Sequence, residues 1–239
     1  MTYAVLSSRA PAECVNNLKA LGYTTLLLPS FKRLSFPVDT HADMLFFSYK
    51  DQIVTHKEYL NTAKSIFDIL EESCKINIIQ SDHDVKSKYP FDIAFNAIAA
   101  GNHLYTNEKH TSAEIIKAAN SEGLSISSVK QGYAACSTLL LRDSHVITAD
   151  VSLAKKFREN GLEVILISNG SISLPPYDYG FIGGASGVFE DTVYFAGDIE
   201  SHPDRYAILN AVSKCKMKHI SLSKEKLCDI GGIKFFVQK

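Results

Sequence analysis

Short apolar runs separated by polar turns repeat along this chain in one order. In the block Tyr133 to Asp150, the run Thr138 to Leu141 is followed by Arg142-Asp143-Ser144 and a second run, His145 to Thr148. Two β-prone runs joined by a short polar turn predict a hairpin. Asp150 then precedes an amphipathic stretch with Leu153, Ala154 and Phe157 on one face, ended by Gly161. Asp is a favoured helix N-cap, and Gly is favoured just past the last turn. Val164 to Ile167 follows as a last apolar run. The predicted unit is strand, strand, helix, strand.

The same unit recurs. Thr40 to Lys57, Phe91 to Glu108, Tyr133 to Asp150 and Phe181 to Asp198 align without a gap, with Asp43, Ala94, Cys136 and Gly184 at the fourth position. Asp229-Ile230-Gly231-Gly232 echoes Phe181-Ile182-Gly183-Gly184, but that fifth block stops at Lys239. Its second half matches Tyr3 to Ser8 at the other terminus. A repeat split between the termini is what a closed ring requires, and repeats of this length decide architecture before local propensity does. Pro11, the set Thr111-Ser112-Ala113-Glu114, and Ser201-His202-Pro203-Asp204 mark further helix starts; Gly22 and Gly123 mark ends. Final strands are expected at Thr24 to Leu28, Ile76 to Ile79, Leu124 to Val129 and Lys218 to Leu222. The expected fold is α/β, a five-fold pseudosymmetric propeller of ββαβ units spanning residues 1–239 as one domain, its last repeat closed by the N-terminal strand. Two loops, Pro29 to Thr40 and Ser168 to Gly180, break the regularity. They are expected either to line a site or to pack as linkers.

Composition narrows the function classes. Apolar content of 46% and charged content of 21% suit a water-soluble globular protein. A net charge of −1 removes the electrostatic basis for general nucleic-acid binding. Apolar runs such as Val164 to Ile167 are too short to cross a membrane. Met1 to Leu6 lacks a basic start and a long apolar core, so no secretory signal is expected, and a cytoplasmic location is. Five cysteines, an odd count without CxxC, argue against a disulfide framework or structural zinc. The histidines show no metal-ligand spacing, so no metal site is expected.

Five ββαβ units closing on themselves, with Gly183-Gly184 and Gly231-Gly232 at unit starts, resemble the pentein superfamily, the β/α propellers of guanidino-group-modifying enzymes. The resemblance implies a Cys nucleophile, a His and acidic residues that grip a guanidinium, with no cofactor. It also admits a non-catalytic role, since a ribosome anti-association initiation factor shares the architecture. The enzymes carry their nucleophile as Gly-Gly-x-x-Cys in the last unit; here that stretch is Gly231-Gly232-Ile233-Lys234-Phe235, with Phe235 in the Cys slot.

A closed ring brings equivalent positions to the axis. Among the fourth-position residues only Asp43 and Cys136 have reactive side chains. Cys136 is either a small core residue or a nucleophile, with His202 as base and Asp198 orienting it. His202 equally sets the entry to a helix. Asp43 and Asp198, with Asp150 and Asp229, are candidates to hold a cation, Asp150 and Asp229 alternatively as caps. Arg9 is a candidate for an anionic substrate group or for a surface pair with Glu13. The expected partner is a small-molecule substrate.

Overall fold

The structure is a computed structural model that describes residues 1–142 and 144–239. Its strands form five three-stranded sheets. The chain opens with β1 (Thr2–Ser7), α1 (Ala12–Ala20) and β2 (Thr24–Leu28). A short helix, α2 (Ala42–Leu45), leads into β3 (Phe46–Tyr49), β4 (Gln52–His56), α3 (Lys57–Thr62), α4 (Lys64–Cys74) and β5 (Asn77–Ser81). The next sheet holds β6 (Ile98–Ala100), β7 (His103–Thr106) and β8 (Ser125–Ser128), with α5 (Ala113–Ser121) between the last two. Then come β9 (Thr138–Arg142), β10 (His145–Thr148), α6 (Val151–Glu159) and β11 (Glu163–Leu166). The last full unit is β12 (Ser186–Phe189), β13 (Thr192–Phe195), α7 (Arg205–Lys214) and β14 (Lys218–Ser221), and β15 (Lys234–Val237) ends the chain.

Four of the sheets pair a hairpin antiparallel and add a third strand parallel after a helix; for example, Phe46 faces Thr55, and Gln52 faces Asn77. The fifth sheet joins the termini. β15 pairs antiparallel with β1, Ala4 opposite Phe235, and β1 pairs parallel with β2. The architecture is thus the five-unit α/β propeller expected from the repeats. Left-handed backbone at Lys50 and Glu190 makes two of the hairpin turns. Asp143, in the turn expected between β9 and β10, lies outside the described residues.

Local signals mostly hold, with shifts of a residue or two at strand ends. The Asp150 carboxylate accepts a hydrogen bond from Leu153 N at 2.7 Å and so caps α6. The helix start at Thr111 to Glu114 holds, with α5 beginning at Ala113, but its residues form no capping box: Ser112 Oγ donates instead to Glu114 Oε2, at 2.7 Å. The start expected at Ser201 to Asp204 is a 3-10 turn over Ile199–Ser201, with α7 beginning at Arg205. Among the described residues no helix is long and apolar enough to cross a membrane.

The first strand of every unit faces the axis. Residues from β3, β6, β9, β12 and β15 together line one cavity of about 380 Å³. The turns that precede these strands close the ring by hydrogen bonds. Asp43 N donates to Gly231 O (3.1 Å), Gly232 N to Gly184 O (2.7 Å) and Gly184 N to Cys136 O (3.0 Å). Asn96 completes the circuit: its Oδ1 accepts from Ala135 N at 2.8 Å, and its Nδ2 donates to Asp43 O at 3.0 Å. The fourth-position residues therefore meet around the axis, as repeat phase requires.

Candidate functional site

On the side of these turns away from the strands lies a second cavity, of about 260 Å³. Buried polar side chains reach it from three units: His41 from the segment before α2, Cys136 from the turn before β9, and Asp229 from the turn before β15, while the exposed Asp178 stands at its rim. Apolar and aromatic groups make up the walls. Tyr133 stacks on Phe181 with ring centroids 6.1 Å apart, and Tyr179 meets Phe181 edge-on at 6.1 Å. The loop Ser168 to Gly180 supplies Leu174, Tyr177 and Tyr179 to this wall, so it lines the cavity. It is pinned there by Ser173 N donating to Leu227 O at 2.8 Å and Asp229 N donating to Ser173 O at 2.9 Å.

Asp229 is buried and well held. Its Oδ2 accepts from Phe181 N (2.8 Å) and its Oδ1 from Gly231 N (3.0 Å), while His41 Nδ1 stands 3.6 Å from Oδ1. Burial raises its pKa to about 6; His41 opposes the shift and the Asp43 charge adds to it. Burial lowers the pKa of His41, against the pull of Asp229 and Asp39. At neutral pH the pair is therefore a neutral imidazole beside a carboxylate.

Cys136 is 4% exposed, and burial followed by the Asp43 and Asp229 charges pushes its thiol well above the ordinary range. Asn96 Nδ2 points at its sulfur from 2.9 Å. Asp43, 3% exposed, lies next to this thiol and faces the strand-side cavity. Neither of its carboxyl oxygens has a hydrogen-bond partner. Burial raises its pKa; the neighbouring Cys136 thiol and the Lys234 charge oppose the shift. A fully buried carboxyl without partners is costly to keep ionised, and such groups cluster at functional sites.

Cys136, Asp43 and Asp229 thus meet at the axis. His202 and Asp198, expected beside Cys136, do not join them, and the imidazole and carboxylate that share its surroundings are His41 and Asp229. His202 Nδ1 accepts from Asp204 N at 3.1 Å, and Asp198 Oδ1 accepts from Glu200 N at 3.0 Å, each ordering the approach to α7. Asp150, besides capping α6, accepts from Gln131 Nε2 at 2.7 Å and lines a neighbouring cavity. Arg9 does not pair with Glu13. It forms a bidentate bridge to Asp39 and lies over the Phe36 ring at 5.1 Å. Phe235, in the slot of the superfamily nucleophile, packs among Tyr23, Phe189 and Tyr194. Among the described residues no group of three or more His, Cys, Asp or Glu side chains is placed to hold a metal ion.

His41 and Asn96 were missed in the sequence. Both had a faint signal. In the aligned blocks the second position is apolar except at His41 and Asp92, and the sixth position of the second block is Asn96.

This geometry belongs to a known architecture. DDAH from Pseudomonas aeruginosa, in complex with citrulline, superposes with a TM-score of 0.58 at 13% identity, covering 97% of this chain and 95% of that one. Agmatine deiminase of C. jejuni gives 0.56 at 9% identity, covering 99% and 93%. An amidinotransferase of the saxitoxin pathway in Microseira wollei gives 0.55 at 10% identity, covering 95% and 78%. At such identities the likeness establishes the fold, and the protein is a pentein-type α/β propeller. More narrowly, residues 5–234 match the model of the family described as "Family of unknown function (DUF6873)", and the chain belongs to that family. No curated protein matches it.

Proposed function

We propose that the protein binds a small guanidino or amidino cation in the turn-side axial cavity and acts on its central carbon, with Cys136 as nucleophile. The observation that carries this reading is the convergence of Cys136, His41 and Asp229 on one aromatic-walled cavity. Carboxylates match the donors of a guanidinium fork, and aromatic faces favour a cation. The solved structures of similar fold include DDAH, a deiminase and an amidinotransferase, which supports the same class of chemistry.

In the unliganded site the thiol is held protonated by burial and by two acidic neighbours. A bound cation offsets those charges and favours the thiolate. The thiol proton passes to neutral His41, through Nε2, since Nδ1 faces Asp229. The sulfur then forms a bond to the guanidino carbon. As the carbon–nitrogen bond breaks, the leaving nitrogen takes the proton from His41. For hydrolysis, water adds to the carbon, its proton passes through His41 to the sulfur, and the sulfur–carbon bond breaks to give a urea. If an amine replaces water, the same steps transfer the amidino group. Asp229 orients His41 throughout.

The test is a panel of guanidines and amidines assayed with the full chain and with Cys136→Ser, together with intact-mass analysis after acid quench. Turnover, with a covalent adduct on Cys136, is the expected result. Full activity in Cys136→Ser would remove Cys136 from the mechanism. A second reading is favoured by Phe235 and by the raised thiol pKa: a pentein-fold binding protein without catalysis. It is supported instead if ligands bind tightly, none is turned over, and alkylation of Cys136 leaves binding to a partner intact.

A further inference from the structure

The cavity that holds Cys136 does not stand alone. A third cavity, of about 240 Å³, shares Tyr133, Tyr179 and Phe181 with it. Asp150 and Ser137 lie on the wall of this third cavity. Ser137 is 2% exposed and its Oγ has no hydrogen-bond partner. An orphaned buried hydroxyl on a cavity wall marks a place for a polar ligand group. Each Asp150 oxygen has one donor, Leu153 N on Oδ1 and Gln131 Nε2 on Oδ2, which leaves acceptor capacity on both.

The charges around the two cavities are one-sided. Asp229, Asp178 and Asp150 line them, together with a His41 whose pKa is lowered, and neither is lined by a Lys or Arg. Arg9, the candidate for an anionic substrate group, is committed to Asp39. A substrate carboxylate placed here would face carboxylates and find no cation to pair with.

We infer that the ligand of the axial site carries a second cationic group and no carboxylate: its guanidino or amidino end sits by Cys136 and Asp229, and an amine at its far end sits against Asp150 and Ser137. This rests on the guanidino reading above. The aromatic edge of Tyr133, Tyr179 and Phe181 carries the apolar linker between the two ends. An ammonium supplies the donors that the Asp150 oxygens and Ser137 Oγ lack, and Asp178 at the exposed rim adds attraction for the doubly charged ligand.

Three probes with a similar chain and different ends test this on the full chain: 4-aminobutylguanidine, butylguanidine and arginine. Calorimetric Kd is measured for each, and kcat/KM where turnover occurs. The diamine-like probe is expected to be best and arginine worst, by about 10-fold or more at each step. Asp150→Asn keeps a good N-cap on α6 and is expected to reduce the preference for 4-aminobutylguanidine over butylguanidine about 10-fold. Ser137→Ala is expected to move the same ratio in the same direction. Arginine equal to or better than 4-aminobutylguanidine, or a ratio unmoved in both variants, overturns the inference and leaves the guanidino reading standing. If none of the three binds or reacts, that reading falls, and this one with it.

Discussion

Gly184 packs directly on the Asp229 carboxyl, so that a Cβ on its backbone would overlap Oδ1 and Cγ of that side chain. The glycine of one unit is thus the seat of the carboxylate of the next. Gly231 stands in the same relation to His41, at a φ of +75° that side chains rarely adopt. Glycine pairs at the unit starts are therefore room made for the polar site as well as for the turns.

Gly184→Ala follows from that contact. The new methyl group must push Asp229 off Phe181 N and Gly231 N, at a cost in stability of about 1–3 kcal/mol. Urea denaturation measures the loss, and calorimetry with a guanidino ligand is expected to show binding abolished in protein that still folds. Wild-type affinity in this variant would separate Asp229 from the ligand.

How much of this was legible in the sequence differs by level. The ring was readable because every unit repeats its polar turn and its apolar runs, and because the fifth unit is split between Tyr3 to Ser8 and Asp229 to Lys239. Cys136 and Asp43 reach the axis by repeat phase alone. Asp198 also sits in phase, with His202 four residues past its block, but both come after the second strand of their unit, where the chain turns outward into α7. Phase locates a residue within a unit and does not say which end of the unit faces the axis. Arg9 found its partner in Asp39, on a loop outside the repeat, a non-local contact that no local pattern encodes. Asn96 is the clearest omission: its role is to tie three turns together, which exists only once the ring is closed.

Asn96→Ala tests that role. The side chain is fully buried and serves Ala135 N, Asp43 O and the Cys136 sulfur. Truncation leaves two backbone groups unpaired in the interior and a void beside them, with an expected loss of about 2–4 kcal/mol. A loss below about 0.5 kcal/mol, within the range of ordinary surface substitutions, would mean that the ring closes without it.

The two histidines are separated by a direct comparison. His41→Asn is expected to reduce turnover by about 100-fold or more, the lower end of what a general acid–base group contributes. His202→Asn is expected to lower the melting temperature through the buried turn before α7 while leaving the alkylation rate of Cys136 unchanged. Reversal of these effects would restore His202 as the base and reduce His41 to a packing residue.

Thiol reactivity gives a further check, in a variant keeping Cys136 alone among the five cysteines. Burial and the Asp43 and Asp229 charges favour the thiol, so iodoacetamide is expected to react slowly, with a midpoint above the free-thiol value of about 8.5. A bound guanidino cation is expected to lower that midpoint. A midpoint below the free-thiol value without ligand would contradict the charge environment described for the site.

Asp43 makes the sharpest statement about pH. Its folded pKa is raised by burial above the ordinary 3.8, so the fold favours its neutral form. The corresponding stability is fully present below pH 3.8 and is lost as pH rises through the folded value. Asp229 behaves in the same sense, its contribution fading between 3.8 and about 6. Asp43→Asn keeps the shape, cannot ionise, and removes one of these two slopes. The variant is therefore expected to match the wild type near pH 4 and to exceed it in melting temperature as pH rises through the folded Asp43 value, while binding a cationic ligand more weakly once that carboxyl is ionised. Thermal melts from pH 4 to 8, with and without ligand, measure both effects. A variant less stable than the wild type at pH 8 without ligand would mean that the Asp43 carboxylate already has a partner that stabilises its charge.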